Sequence, residues 1–459
     1  MSVTCGSDWE RGNNATPPTP AIAPGAESID IRAFASSLAS RPIDPRIPAL
    51  VPGFDAPFFQ AGLAGYSDAA MRIIARRHGC PFCITEALLD RTMLAGGRGF
   101  AKADLGDLAD NVPGGEEDYP LACQIMGSDP REMAAACLKA AEQGARGDKH
   151  YRMMAYAGRE LEFALDASAP VRLPGGEQLG PVLIKSMRDA NSPEAKATSR
   201  EANGEVAEPT SAEPVAEIAH AFQVIDVNLA CPVKKISSKA RGGHWLAEPD
   251  GAIEILKAVR EAVPSHIPCT VKLRRSFDDT LEMVAAFERI FDATYDLGYA
   301  WATVHARTVE QKYVGPSRWT VLRELRERHP DRIFFGSGDI WNADDIFRML
   351  AYTGVSAVSV ARGCIGNPWI FHQARELIAG REPAPPTIAQ QRDVLDEHFR
   401  LLLAVCQRSR KAEQTASRLI RKFGIRFAQH HPRAEEVRRR ACAVSSLEDW
   451  QALLNEYYA

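Results

Sequence analysis

No stretch of this 459-residue chain strings together the about eighteen apolar residues that a membrane-crossing helix needs, so no membrane-spanning segment is expected. Its first residues lack a basic start followed by an apolar run, so no secretory leader is expected either. Ten cysteines are scattered without the spacing of a disulfide framework, which fits a reducing, cytoplasmic setting. Cys80 and Cys83 form one Cys-x-x-Cys pair. With no second ligand pair at suitable spacing, it reads as packing, and no metal site is expected. Residues 1–45 have little apolar periodicity and much Pro, Ala, Ser and Gly, which predicts a disordered arm. Nor is there a large imbalance of charge: the net charge is −4, with 25% charged and 45% hydrophobic residues, an ordinary globular composition.

What is present is an alternation. Short apolar runs at 58–64, 81–86, 119–126, 224–228, 268–273, 300–305, 332–337 and 355–361 read as buried strands. Helical periodicity follows at 69–78, 130–144, 249–263, 280–297, 317–328, 342–353 and 370–378. Eight strands alternating with helices predict an α/β fold, a (β/α)₈ TIM barrel spanning 46–382. An insertion at about 146–214 interrupts it. Residues 190–214 are polar with hardly an aliphatic run and are expected to be disordered, whereas 148–188 keep enough apolar residues to fold against the barrel. After the Pro383-Ala-Pro-Pro386 linker the pattern is helix only, which predicts a C-terminal all-helical domain over 387–459, separable from the barrel.

The most informative stretch is Val224-Ile-Asp-Val-Asn-Leu-Ala-Cys-Pro232. Pro232 cannot continue a ladder, so Asn228 and Cys231 sit at the carboxyl end of a buried strand. That is the face of a barrel where chemistry is found. Taken alone, Cys231 is open to three readings: a catalytic acid, a nucleophile, or an inert core thiol. Gln124, Lys272, His305, Arg307 and Arg362 also lie at or just past strand ends, so one face collects them all. Gly336-Ser-Gly-Asp339 and Ala361-Arg-Gly363 end the seventh and eighth strands, where barrels commonly bind a phosphate through backbone N–H groups. A buried Lys272 suits the stabilisation of negative charge on an electron-rich ring.

These motifs resemble those of the tRNA-dihydrouridine synthases, and the bacterial B-type branch in particular. Ala61-Gly-Leu-Ala-Gly-Tyr-Ser-Asp68 is similar to that family's A-P-M-A-G-V-T-D opening, and Asp226-Val-Asn-Leu-Ala-Cys-Pro-Val-Lys-Lys235 to its D-x-N-x-G-C-P-x-x-K element. Val271-Lys-Leu-Arg274, Val304-His-Ala-Arg-Thr308, Gly336-Ser-Gly-Asp-Ile340 and Gly366-Asn-Pro-Trp369 follow in the family order, and Arg421-Lys422 matches an R-K element of the tail. The resemblance covers roughly 57–145 and 220–455. Departures are Gly62 for Pro, Ala230 and Ala306 for Gly, and Ser337 for Asn.

The resemblance implies FMN-dependent reduction of uridine to 5,6-dihydrouridine in tRNA, with NADPH as co-substrate. It implies that Gly62, Leu63 and Ala64 touch the FMN ring from the backbone. Gln124, Asn228, Lys272 and His305 would hydrogen-bond the flavin, and Ser337, Gly338, Asp339, Ala361 and Arg362 would hold its phosphate. Cys231 would be the general acid at uracil C5, a role that suits a thiol of ordinary acidity (~8.5), protonated at neutral pH. Arg307, Arg418, Arg421 and Lys422 would contact tRNA.

Independently, residues 392–440 hold thirteen Lys or Arg against six Asp or Glu, a net +7 that leaves −11 for the rest. This suits a phosphate-tracking surface on the helical domain. Two other readings are another flavin barrel acting on free pyrimidines, of dihydroorotate or dihydropyrimidine type, and an RNA-binding protein without catalysis. The basic domain argues against the first, and Cys231 with Lys272 against the second. A cytoplasmic monomer without membrane contact is expected.

Overall fold

The computed structural model describes residues 25–95, 115–156, 222–232, 242–406 and 411–459, and the backbone of two short paired strands, Val171–Arg172 and Gln178–Leu179. The expectation of disorder at 190–214 lies outside the described residues.

Eight parallel strands close on themselves: β1 Phe58–Gln60, β2 Cys83–Ile84, β3 Leu121–Met126, β4 Val224–Leu229, β5 Cys269–Arg274, β6 Trp301–His305, β7 Phe334–Ser337 and β8 Ala357–Val360. Closure is made by β1, which pairs with β8 through Phe58↔Val358 and with β2 through Gln60↔Cys83. The flanking helices are α1 Ala69–Arg77, α2 Pro130–Ala141, α3 Pro249–Ala262, α4 Leu281–Asp296, α5 Trp319–Arg328, α6 Ala343–Thr353 and α7 Trp369–Ile378. Their starts are written locally. Asp68, Asp129 and Thr280 cap α1, α2 and α4, and Asn342 with Asp345 forms a capping box on α6. After β2 come a short strand, Leu88–Leu89, and a five-residue helix, Asp90–Leu94.

Strand periodicity sorts the side chains into two sets. Ile225, Val227, Leu229, Cys269, Val271, Leu273 and Val304 belong to the core between strands and helices. Their neighbours in sequence face the barrel interior, and these change character along its axis. At the amino-terminal end Phe59, Phe82, Trp301 and Phe335 pack around Phe54, whose ring stacks on Phe82 at 4.8 Å. Ile43, Ile47 and Val51 join them, so residues before β1 plug the bottom of the barrel. At the carboxyl end the interior is polar: Gln124, Asp226, Asn228, Thr270, Lys272, His305 and Ser337 occupy neighbouring register positions. Each buried Phe contributes roughly 1.5–3 kcal/mol by leaving water, so the plug supplies stability and leaves the other end free for chemistry.

The predicted disordered arm is corrected here for its second half. Ile31–Ser37 is a helix capped by Asp30, and it packs on α6 and α7. Ile31, Phe34, Ala35 and Leu38 put one apolar stripe against the core at spacing 3, 1 and 3, a pattern too short to stand out in a Pro- and Ala-rich segment. Within the insertion, Asp148–Tyr156 is a helix packed on α2, with Tyr151 fully buried. Cys80 and Cys83 are buried with their sulfurs 3.8 Å apart, as packing residues would be.

The C-terminal helices are α8 Ile388–Cys406, α9 Ala412–Phe427, α10 Ala434–Ala443 and α11 Leu447–Tyr457. Sequence reading makes them a separable domain, but they share one continuous core with the barrel. Phe427 packs edge-on to Trp369, and Phe423 edge-on to Tyr66. Gly366 holds φ +66 where a Cβ would come within 2.6 Å of Phe427 N, so the loop after β8 lies flat against α9. Lys422 donates to Gly65 O and sits 3.7 Å from Asp68.

One residue of this seam predicts an acid response. His398 is 1% exposed, its ring is 4.2 Å from that of Phe423, and neither ring nitrogen has a hydrogen-bond partner among the described residues. Burial, and then the nearby Lys422, push it down to about 3. A histidine held below its ordinary value contributes no penalty above about pH 6.5. It destabilises the fold progressively as pH falls from 6.5 toward 3, by of order 5 kcal/mol in full. Thermal unfolding of His398→Leu and the wild type is therefore expected to diverge between pH 6.5 and 4, with the variant losing less. Parallel losses would show that His398 does not carry the acid sensitivity of the seam.

Candidate active site

The polar end of the barrel is organised around the turn that follows β4. Asn228 Oδ1 accepts from Ala230 N at 3.0 Å and from Cys231 N at 3.1 Å, and so fixes the backbone that carries the thiol. Its Nδ2 donates to Gln124 Oε1 at 2.7 Å, and Gln124 Nε2 donates to Asp226 Oδ2 at 2.6 Å. Thr270 Oγ1 completes the chain by donating to Asp226 Oδ1 at 2.6 Å. Burial raises the Asp226 carboxyl above its usual range, against the two hydrogen bonds that lower it. From the other side Arg274 Nε donates to Ala230 O at 2.9 Å, and Gly243 N donates to Cys231 O at 2.9 Å. Gly242, at φ +49, leaves room that a Cβ would take within 3.0 Å of Cys231 Cβ. Cys231 itself is half-buried, unlike most of the cysteines.

Lys272 and Arg274 are the alternating inward residues of β5 above Thr270, and both act electrostatically on Cys231. Burial, then Arg274, lowers Lys272 to about 8, and burial lowers Arg274 to about 10. At neutral pH both are cations in a low-dielectric mouth, where they attract negative charge strongly. His305 is held well below its ordinary value by burial, then by Arg274 and Lys272, so its ring is neutral. Its Nδ1 lies 3.0 Å from Ser337 O, and since a carbonyl only accepts, Nδ1 carries the proton and Nε2 is an acceptor.

The sequence-predicted residues divide into those the fold gathers at the mouth and those it commits elsewhere. Gly62 and Leu63 are half-exposed and Ala64 is exposed on the loop after β1. A Cβ at Gly62 would meet Thr85 O at 2.4 Å, which is why only glycine brings this backbone so close to β2. Leu63 N already donates to Ser67 Oγ. Gln124 and Asn228 are tied to each other, which leaves one further N–H on each amide and a lone pair on Gln124 Oε1. Ser337 and Gly338 end β7, and Ala361 and Arg362 open the turn after β8. A Cβ at Gly338, at φ +120, would come within 2.2 Å of Ser317 Oγ, and one at Gly363 within 2.2 Å of Ile340 O. The two loops are thus pressed together as bare backbone.

Four predicted residues are engaged by other parts of the protein. The Asp339 carboxylate accepts from Arg307 Nη2 at 2.7 Å and lies 3.6 Å from Arg362 Nη2, so the side chain is engaged within the protein. Only the backbone of Asp339, at φ +58, remains for an anion. Arg307, expected at tRNA, is 2% exposed and also bonded to Gly315 O, so it braces the rim. Lys422 is committed to Gly65 and Asp68, and Arg421 donates to Val444 O, so these two hold helices in place. Of the three predicted tail residues, Arg418 alone is exposed. Arg274 and Tyr313 were not singled out from sequence. Arg274 is buried and anchors the thiol turn, and Tyr313, 40% exposed, lies against both Arg274 and Arg362 at the mouth. The alternation of Thr270, Lys272 and Arg274 on β5 is the signal that could have found the first of them.

The model of the Dihydrouridine synthase (Dus) family matches residues 204–458, more than half of the chain. The chain belongs to the dihydrouridine synthase family. A probable tRNA-dihydrouridine synthase of Mycobacterium leprae is 32% identical over 234 residues, 50% of this chain and 59% of that one. Its counterpart in Treponema pallidum is 31% identical over 50% of this chain and 68% of its own length. The tRNA-dihydrouridine synthase B of Xanthomonas campestris pv. campestris is 30% identical over 52% of this chain and 70% of its own. The chain thus spans less than two thirds of the Mycobacterium relative. Membership is consistent with the mouth: the thiol turn, the β5 cations and the glycine-lined loops all fall in or beside the matched stretch. Among the described residues, no helix is long and apolar enough to cross a membrane.

Proposed function

We propose that this protein reduces uridine in tRNA to 5,6-dihydrouridine, with FMN held at the barrel mouth, NADPH as reductant and Cys231 as proton donor. The observation that carries this reading is the placement of a half-buried thiol beside two cations, the half-buried Lys272 and the buried Arg274, over a neutral His305. The residues fit a flavin mononucleotide. Gly338 and Gly363 let the loops after β7 and β8 lie close together as bare backbone with N–H groups for a phosphate, Arg362 stands at their edge, and the loop at 62–64 offers exposed backbone to a flat ring.

FMN, when bound, would supply the hydride for uracil C6. The rest follows from the chain's own groups. Lys272 and Arg274 favour the negative charge that develops on the pyrimidine. Cys231 holds the proton needed at C5, on a turn locked by Asn228 and Arg274, so thiol and ring keep one orientation. His305, with Nδ1 engaged by Ser337 O, presents an acceptor to a flavin N–H or ribityl hydroxyl. The base must leave its stack to enter, so the substrate is a flipped or single-stranded uridine. The helical domain, with its net positive charge and Arg418 on its surface, supplies the phosphate-binding face.

The deciding experiment is mass spectrometry of unmodified tRNA incubated with the full-length protein, FMN and NADPH. A gain of two mass units on one uridine is the expected result. A chain that binds flavin and leaves tRNA unchanged but reduces a free pyrimidine would replace this reading by the free-pyrimidine one.

A further inference from the structure

The loop after β6 carries a hydroxyl outside every motif. Ser317 is 7% exposed, and its Oγ has no hydrogen-bond partner among the described residues. Such a group is costly to leave unpaired, so its persistence calls for a ligand. Its place is set from two sides. Ser317 N donates to Asp339 Oδ2 at 2.7 Å, and Trp319 Nε1 donates to Gly338 O at 3.0 Å. The hydroxyl therefore lies over the bare Cα of Gly338, where a Cβ would come within 2.2 Å of Oγ and 2.8 Å of the His305 ring. Arg307 Nη1, on the same loop, and Trp341 Nε1, on the loop after β7, are also buried without a partner among the described residues. The Arg362 guanidinium rests on the Trp341 ring, 4.7 Å from its centroid. Hydrogen-bond donors thus outnumber acceptors here, and the one carboxylate, Asp339, is already engaged by Arg307 and Ser317 N.

We propose that Ser317 is a further ligand of the cofactor's terminal phosphate monoester, donating Oγ–H to a phosphate oxygen between the β6 and β7 loops. This rests on the FMN reading above. Ser337 stands where the family pattern has Asn, so the β7 loop carries a shorter donor there, and Ser317 adds a second hydroxyl from the β6 loop beside it. A phosphate of the tRNA backbone has the same chemistry, but the depth of Ser317 favours the smaller ligand.

The test uses the full-length chain freed of flavin. FMN and riboflavin, which differ only by the phosphate, are titrated by flavin fluorescence into the wild type and Ser317→Ala. The variant is expected to bind FMN about ten- to hundredfold more weakly, the usual worth of a hydrogen bond to a charged group, and riboflavin equally well. Its flavin-free melting temperature should not fall, since no protein hydrogen bond is lost. Equal weakening for both flavins, unchanged FMN affinity, or a loss confined to tRNA affinity would overturn the assignment. A wild-type chain that binds neither flavin is a different result and sinks the FMN reading itself.

Discussion

Cys231→Ala is expected to form dihydrouridine ~10²–10⁴-fold more slowly than the wild type, the usual worth of a positioned acid, while keeping its flavin and its reduction by NADPH. The split between the two half-reactions follows from the site. The backbone at 230–231 is held by Asn228 Oδ1, by Arg274 on Ala230 O and by Gly243 N on Cys231 O, and none of these bonds uses the thiol. Alanine keeps the turn and the cations of β5 and removes only the proton source. The comparison is single-turnover conversion of tRNA by protein whose flavin has been reduced beforehand, with the flavin spectrum as the control. Undiminished conversion would remove Cys231 from the mechanism, and loss of the flavin spectrum would make it a structural residue.

Gly338→Ala is expected to yield a folded protein with little bound flavin. Gly338 holds φ +120, a conformation that costs a side chain roughly 1–3 kcal/mol. The new Cβ would meet Ser317 Oγ at 2.2 Å and His305 Cε1 and Nδ1 at 2.8 Å. The His305 ring does not yield freely, being tethered to Ser337 O, and the backbone that carries Ser317 is tied to Asp339. The loop must shift instead, and it carries the backbone of the phosphate cradle. FMN affinity should fall at least about tenfold to hundredfold, since each 1.4 kcal/mol is a factor of ten. The flavin-to-protein ratio after purification, read beside the melting curve, checks this. A normal ratio in Gly338→Ala would place the phosphate site on other loops.

Several features were legible before any coordinates because they depend on local pattern. Strand ends announce themselves by Pro232 and by glycine pairs, and period-2 alternation says which side chains face inward. Asn228, Lys272 and His305 could therefore be placed at the mouth from sequence. Burial of long charged side chains could not be read this way. A Lys or Arg in a loop looks the same whether it reaches solvent or a carboxylate, and Arg307 and Lys422 turned out to be paired.

The sequence by itself determined the eight-strand alternation, the polar carboxyl face, the position of Cys231 and the basic character of the tail, because each rests on residue type and spacing within some ten residues. Only the tertiary structure decided which groups meet. The Gln124–Asn228 bond joins residues 104 apart, and the Lys422–Gly65 bond residues 357 apart. The Ser317–Asp339 contact depends on barrel closure bringing the β6 and β7 loops together. The helix at Ile31–Ser37 likewise needed its partners, since a helix of two turns is not stable alone and forms where α6 and α7 offer an apolar face.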